Sequence, residues 1–124
     1  MTGRHLVFGF CVLAMMAAVT VGVVAHLSVV KTMPADKSTV SEPPARVQVW
    51  FSQQPSPRVS RLDMKGPGGV VALGDLAVDR DTKSIAGAVA DSLAPGSYTV
   101  TWRTAGDDGH VMRGTFTFAV NPAK

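Results

Sequence analysis

The sequence predicts an all-β domain, an immunoglobulin-like, seven-stranded Greek-key sandwich or barrel, preceded by an N-terminal signal peptide. Three observations carry that expectation. Residues 46–52, 97–103 and 115–120 alternate apolar and polar side chains with the period of a half-buried strand. The gaps hold turn residues, at Pro34, Pro43-Pro44, Pro55-Ser56-Pro57, Gly66-Pro67-Gly68-Gly69 and Pro95-Gly96. Residues 6–25, in contrast, run without a single charge.

Arg4 and His5 give that first segment a short polar start, and Val23 and Ala25 stand where a signal peptidase reads. Residues 1–25 are therefore assigned to a cleaved signal, with the cut between Ala25 and His26, and residues 26–124 to one domain exported to a periplasm. An uncharged stretch of about twenty residues is also long enough to cross a bilayer as a helix. An uncleaved anchor over residues 6–25 is thus the competing reading, which Gly9, Gly22 and the β-branched Val19-Thr20-Val21 weaken.

Past His26 no segment has convincing helical periodicity. In residues 46–52, Val47, Val49 and Phe51 face one way and Arg46, Gln48 and Trp50 the other. Residues 97–103 set Tyr98, Val100 and Trp102 against Thr99, Thr101 and Arg103, and residues 115–120 turn Phe116, Phe118 and Val120 inward. Weaker strands fall at 27–32, 59–64, 69–73 and 84–89. About seven short strands in roughly a hundred residues define the sandwich class. Leu93-Ala94-Pro95-Gly96-Ser97-Tyr98 has the pattern of a tyrosine corner, where the phenol ties down a loop between sheets.

The chain carries 12 Lys and Arg against 9 Asp and Glu, a formal charge of +3, which becomes +2 once Arg4 leaves with the signal. The charges are scattered, without the basic stripe of a nucleic-acid binder. Cys11 is the single cysteine and lies in the segment to be removed. The domain then has no thiol for a disulfide or a thiolate metal site, and its core alone must hold it. No serine sits in a nucleophile motif, and the chain is not read as an enzyme.

The chemistry rests on His26, Asp108 and His110. Cleavage before His26 would give it two nitrogen donors, the new α-amine and ring Nδ1, which close a six-membered chelate ring on a metal. That ring suits the tetragonal nitrogen and oxygen preference of Cu(II). The amine, with an ordinary pKa of about 7.7 to 8, yields its proton to a strong Lewis acid near neutrality. In extended chain, Asp108 and His110 project to one side of Gly109, adding an oxygen and a third nitrogen. Each residue also has an ordinary reading: an N-terminal histidine can arise by chance, and Asp-Gly is a common hairpin-turn pair. Asp107 is assigned to that turn.

The ordered set of motifs resembles the CopC family of periplasmic copper-resistance and copper-carrier proteins. The resemblance runs from His26 with Pro34-Ala35-Asp36-Lys37-Ser38-Thr39-Val40, through Pro44-Ala45-Arg46-Val47-Gln48-Val49-Trp50-Phe51-Ser52, to Leu93-Ala94-Pro95-Gly96-Ser97-Tyr98 and Trp102-Arg103. It closes on Asp108-Gly109-His110 and Gly114-Thr115-Phe116-Thr117-Phe118. It implies a seven-stranded Greek-key domain, monomeric, that binds one Cu(II) through His26, Asp108 and His110 and serves copper resistance, buffering or transport. It also implies a CopD-like inner-membrane copper transporter as partner. Two positions depart from the family: Gly106 replaces a common serine, and Gln53 a usual glutamate. Met33, Met64 and Met112 are isolated, as core-filling methionines are, so no separate Cu(I) site is expected.

Two other functions compete. One is a copper-dependent monooxygenase-like enzyme using His26 and His110 as a histidine brace; the other is a metal-free exported interaction domain. Zinc competes as the metal on ligand type, but the Irving–Williams order favours Cu(II) at such a site.

Overall fold

Branched and aromatic residues alternating with polar ones build nine strands among residues 26–122, the part described by the computed structural model. They are β1 (Val29–Met33), β2 (Ser38–Val40), β3 (Arg46–Phe51), β4 (Arg61–Gly66), β5 (Gly69–Val71), β6 (Ala77–Asp79), β7 (Ser84–Ala88), β8 (Gly96–Ala105) and β9 (Val111–Val120). The strands form two sheets, ordered β1-β3-β7-β6 and β2-β9-β8-β4-β5. Every ladder is antiparallel except that of β2 with β9. The signal peptide and the alternative anchor lie outside the described residues. Among those described, no helix is long and apolar enough to cross a membrane.

All seven expected strands are present, and β2 and β6 are additional. Ser38-Thr39-Val40 and Ala77-Val78-Asp79 are three-residue edge strands, too short to show a period. β4 starts at Arg61 rather than at residue 59. The carbonyl of Ser56 accepts the N–H groups of Val59 and Ser60, at 3.4 and 3.1 Å, and winds the preceding residues into a turn. β8 and β9 run longer than the alternation indicated, in unbroken register from Gly96↔Val120 to Ala105↔Val111. Gly114 hid this extension, because a glycine in a strand pattern reads as a break. Here it faces Trp102 across the ladder.

The inward faces meet in a core of Val47, Val49, Phe51, Met64, Ile85, Tyr98, Val100, Trp102, Phe116, Phe118 and Val120, closed by Leu27 and Leu93. Met64 is a core residue, as its isolation suggested. Phe51 meets Trp102 edge-on, with ring centroids 5.0 Å apart, and Tyr98 stacks on Phe118 at 5.4 Å. Both geometries suit the charge distribution of aromatic rings. The Tyr98 hydroxyl donates to the carbonyl of Ala94, so the tyrosine corner is present. The polar face of β3 is less open than its alternation implied. Gln48 is buried and donates to Ser84 Oγ at 3.0 Å, while Trp50 is half-buried beneath the Lys31 ammonium, 4.3 Å from the ring centroid.

Two substitutions test this packing. A methyl group at position 114 would stand 2.5 Å from the Trp102 ring, which Phe51 holds in place. Gly114→Ala is expected to destabilise the domain by about 1–3 kcal/mol, the usual range for overpacking. Tyr98→Phe, which keeps the ring stack, is expected to lose about 1 kcal/mol with its one hydrogen bond. Urea unfolding of the purified domain measures both, and an unchanged midpoint for Gly114→Ala would contradict the described Trp102 packing.

Candidate metal centre

Residues 106–110 join β8 to β9. The Gly106 carbonyl accepts the Gly109 N–H at 3.0 Å, and Gly109 closes the turn at a φ of +74°, a conformation easy only without a Cβ. Asp108 Oδ1 then accepts the His110 N–H at 3.1 Å, an Asx turn that leaves Oδ2 2.9 Å from His110 Nδ1. The expected pair therefore meets, though not by the expected route. The chain here is a tight turn and not extended, because the Asp-Gly turn chemistry prevails locally.

His26 arrives from the other end of the domain. Leu27 anchors it by burying its side chain in the core. Ser28 is tied twice to Ser52: its carbonyl accepts the Ser52 N–H at 2.8 Å, and its N–H donates to Ser52 Oγ at 2.9 Å. His26 Nδ1 thereby lies 3.2 Å from Asp108 Oδ2, with the two imidazole centroids 5.5 Å apart and tilted by 40°. Each of His26, Asp108 and His110 offers a donor atom within 4.8 Å of the others. All three predicted ligand residues are thus brought together.

The two rings are open to solvent, at 58% and 68% side-chain exposure, whereas the Asp108 side chain retains 14%. The carboxylate can only accept hydrogen bonds, so at these distances Nδ1 of each ring is the donor to Asp108 Oδ2. For His26 to chelate through amine and Nδ1, that ring must exchange its bond to Asp108 for the metal. The Asp108 carboxyl is held below its ordinary pKa, first by the His110 backbone N–H. Partial burial opposes this shift, and the His110 and His26 side chains add to it.

Asp107 is exposed and its carboxylate is not part of the group; its backbone N–H donates to Gln53 Oε1 at 2.9 Å. Sequence reasoning missed the supporting residues Leu27, Ser28 and Ser52, and singled out Gln53 without its bond to Asp107. Nothing local marks the first three, since their partners lie far along the chain.

The family model for the CopC domain matches residues 29–121. The chain is 31% identical to the protein YobA of Escherichia coli strain K12, covering 96% of this chain and 97% of that one. Its structure is similar to the crystal structure of CopC from Methylosinus trichosporium OB3b, with a TM-score of 0.71 and 28% identity over 80% of this chain and 97% of the other. It is also similar to PcoC of Escherichia coli, described as a methionine-rich copper resistance protein, with a TM-score of 0.70 and 28% identity over 78% and 100% of the two chains.

The depressed Asp108 pKa carries a pH prediction. A folded-state pKa below the unfolded value of about 3.9 contributes stability above that value, which is lost as pH falls through the folded pKa. In metal-free protein, NMR titration of the Asp108 side-chain carboxyl carbon is expected to show a midpoint below the ordinary range. His110→Ala should raise that midpoint only in part, because the backbone N–H of residue 110 remains.

Proposed function

The chain belongs to the CopC family, and from that premise we propose that it is a periplasmic Cu(II) carrier whose site forms at a newly cut N-terminus. On this reading, residues 1–25 are a signal peptide removed between Ala25 and His26, and residues 26–124 are the mature domain. It binds one Cu(II) through the His26 amine and Nδ1, an Asp108 carboxylate oxygen and a His110 ring nitrogen. The observation that carries the reading is the convergence of His26 with Asp108 and His110, residues from opposite ends of the domain, within 4.8 Å. Two imidazoles and a carboxylate form a donor set suited to Cu(II).

The role is copper resistance, buffering or transport, performed by a monomer that hands its ion to a CopD-like inner-membrane transporter. No catalytic step is assigned. A carboxylate against both imidazoles supports the carrier reading over the monooxygenase-like one, which needs an open coordination position for oxygen. Release of peroxide, or cleavage of a polysaccharide, by the copper-loaded protein would reverse that preference.

The test is native mass spectrometry of the exported protein with and without one equivalent of Cu(II). The expected species begins at His26 and gains one copper ion. In competition titrations, Asp108→Ala and His110→Ala should each weaken binding by more than about 100-fold, beyond the range typical of residues that only support ligands. Affinity should fall with decreasing pH as protons compete for the amine and imidazole nitrogens, while Asp108 stays ionised over that range. A mature mass that retains residues 1–25, or Cu(II) affinity untouched by His110→Ala, would overturn the proposal.

A further inference from the structure

The turn that carries Asp108 is shaped by its own hydrogen bonds, from Gly109 N–H to Gly106 and from His110 N–H to Asp108 Oδ1. Those bonds fix its shape, and the β8–β9 ladder fixes where the hairpin ends. The residues that follow β3 then link the turn to the His26 segment. Ser52 holds the His26 segment through its two bonds to Ser28, and the next residue, Gln53, reaches the opposite loop to accept the Asp107 N–H at 2.9 Å. Adjacent residues thus tie down the two halves of the candidate site.

Gly106 makes room for this arrangement. A Cβ there would stand 2.2 Å from Gln53 Oε1, 3.2 Å from its Cδ and 3.1 Å from the Leu27 Cβ. Its φ lies outside the left-handed region, so space and not backbone freedom calls for glycine at this position. A side chain at 106 would push on the Gln53 acceptor that holds the Asp108 turn and on the Leu27 anchor that holds His26. We propose that Gln53 and Gly106 are a positioning pair, interlocked so that the Asp108 turn is set against His26 for Cu(II). This inference rests on the Cu(II) reading above. The acceptor at 53 occupies space that a side chain at 106 would need.

The test compares Gln53→Leu, Gln53→Glu, Gln53→Ala, Gly106→Ala and the double variant Gly106→Ala/Gln53→Ala in the processed protein starting at His26. Two readouts are used: Cu(II) affinity by competition, and the Asp107 backbone amide resonance with its exchange rate in metal-free protein. Gln53→Leu should weaken Cu(II) by about 10- to 100-fold, as loss of a ligand-supporting hydrogen bond does. It should also shift the Asp107 amide and speed its exchange. Gln53→Glu, which still offers an acceptor, should restore amide protection. Gly106→Ala should weaken Cu(II) in the parent but add little once Gln53 is alanine, since the obstructed atom is gone; such non-additivity marks a coupled pair. The pairing is overturned if Gln53→Leu leaves the Asp107 amide and the affinity unchanged, or if Gly106→Ala has the same effect in both backgrounds. Should the parent bind no Cu(II), the functional reading fails by itself, while the amide measurements still decide whether Gln53 and Gly106 position the turn.

Discussion

The register between β8 and β9 is the constraint on which the rest of the structure depends. Its ladder from Gly96↔Val120 to Ala105↔Val111 lays Tyr98, Val100 and Trp102 beside Phe116, Phe118 and Val120 on one inward face. A slip of either strand by one residue would turn its three side chains toward water and leave part of the facing sheet uncovered. The same register fixes where the hairpin ends, and therefore where the Asp108 turn stands. Gly114 and Gly66 belong to this constraint, since Cβ atoms there would run into the Trp102 and Tyr98 rings. Two glycines yield space so that two aromatics can lie flat in the core.

The candidate site follows from how the second sheet joins that hairpin. β1 pairs with β3, and the chain before β1 bends inward to bury Leu27. Just beyond β3, Ser56 N–H donates to the Ala105 carbonyl at 2.9 Å, and Ser60 Oγ meets the fully buried Thr104 Oγ1 at 2.7 Å. Those bonds tie the loop after β3 to the end of β8, so the loop and the hairpin tip behave as one edge of the sandwich. Thr104 could not be buried without such a partner, because an unpaired buried hydroxyl is unfavourable. Buried polar pairing thus does at this edge what apolar packing does in the centre.

These relations explain what could be read from the sequence. β3, β8 and the second half of β9 were legible because each buries one face, and burial leaves alternation in the residue order. β2 and β6 were not, since three residues at a sheet edge carry no period. Gln48 read as outward-facing because its burial is created by its neighbours and its bond to Ser84, neither of which is local. Among the site residues, His26, Asp108 and His110 stood out because histidines are scarce in this chain. Their meeting was legible, but the backbone that achieves it was misjudged as extended. Gln53 was seen only as a departure from a family pattern; its bond to Asp107 joins positions with no sequence signal to connect them.

What the fold provides is a gathered donor group, two imidazoles around one carboxylate. The Asp108 carboxylate is partly shielded and already within hydrogen-bond distance of both imidazoles. The imidazoles themselves stay open to solvent. On the proposed reading, an acceptor's ligands can approach the metal from the solvent side without the β-sandwich unfolding. On the same reading, partial shielding of Asp108 and exposure of the two rings serve opposite needs, holding the ion and leaving it reachable. An interior cage with the same three residues would satisfy the first need and defeat the second.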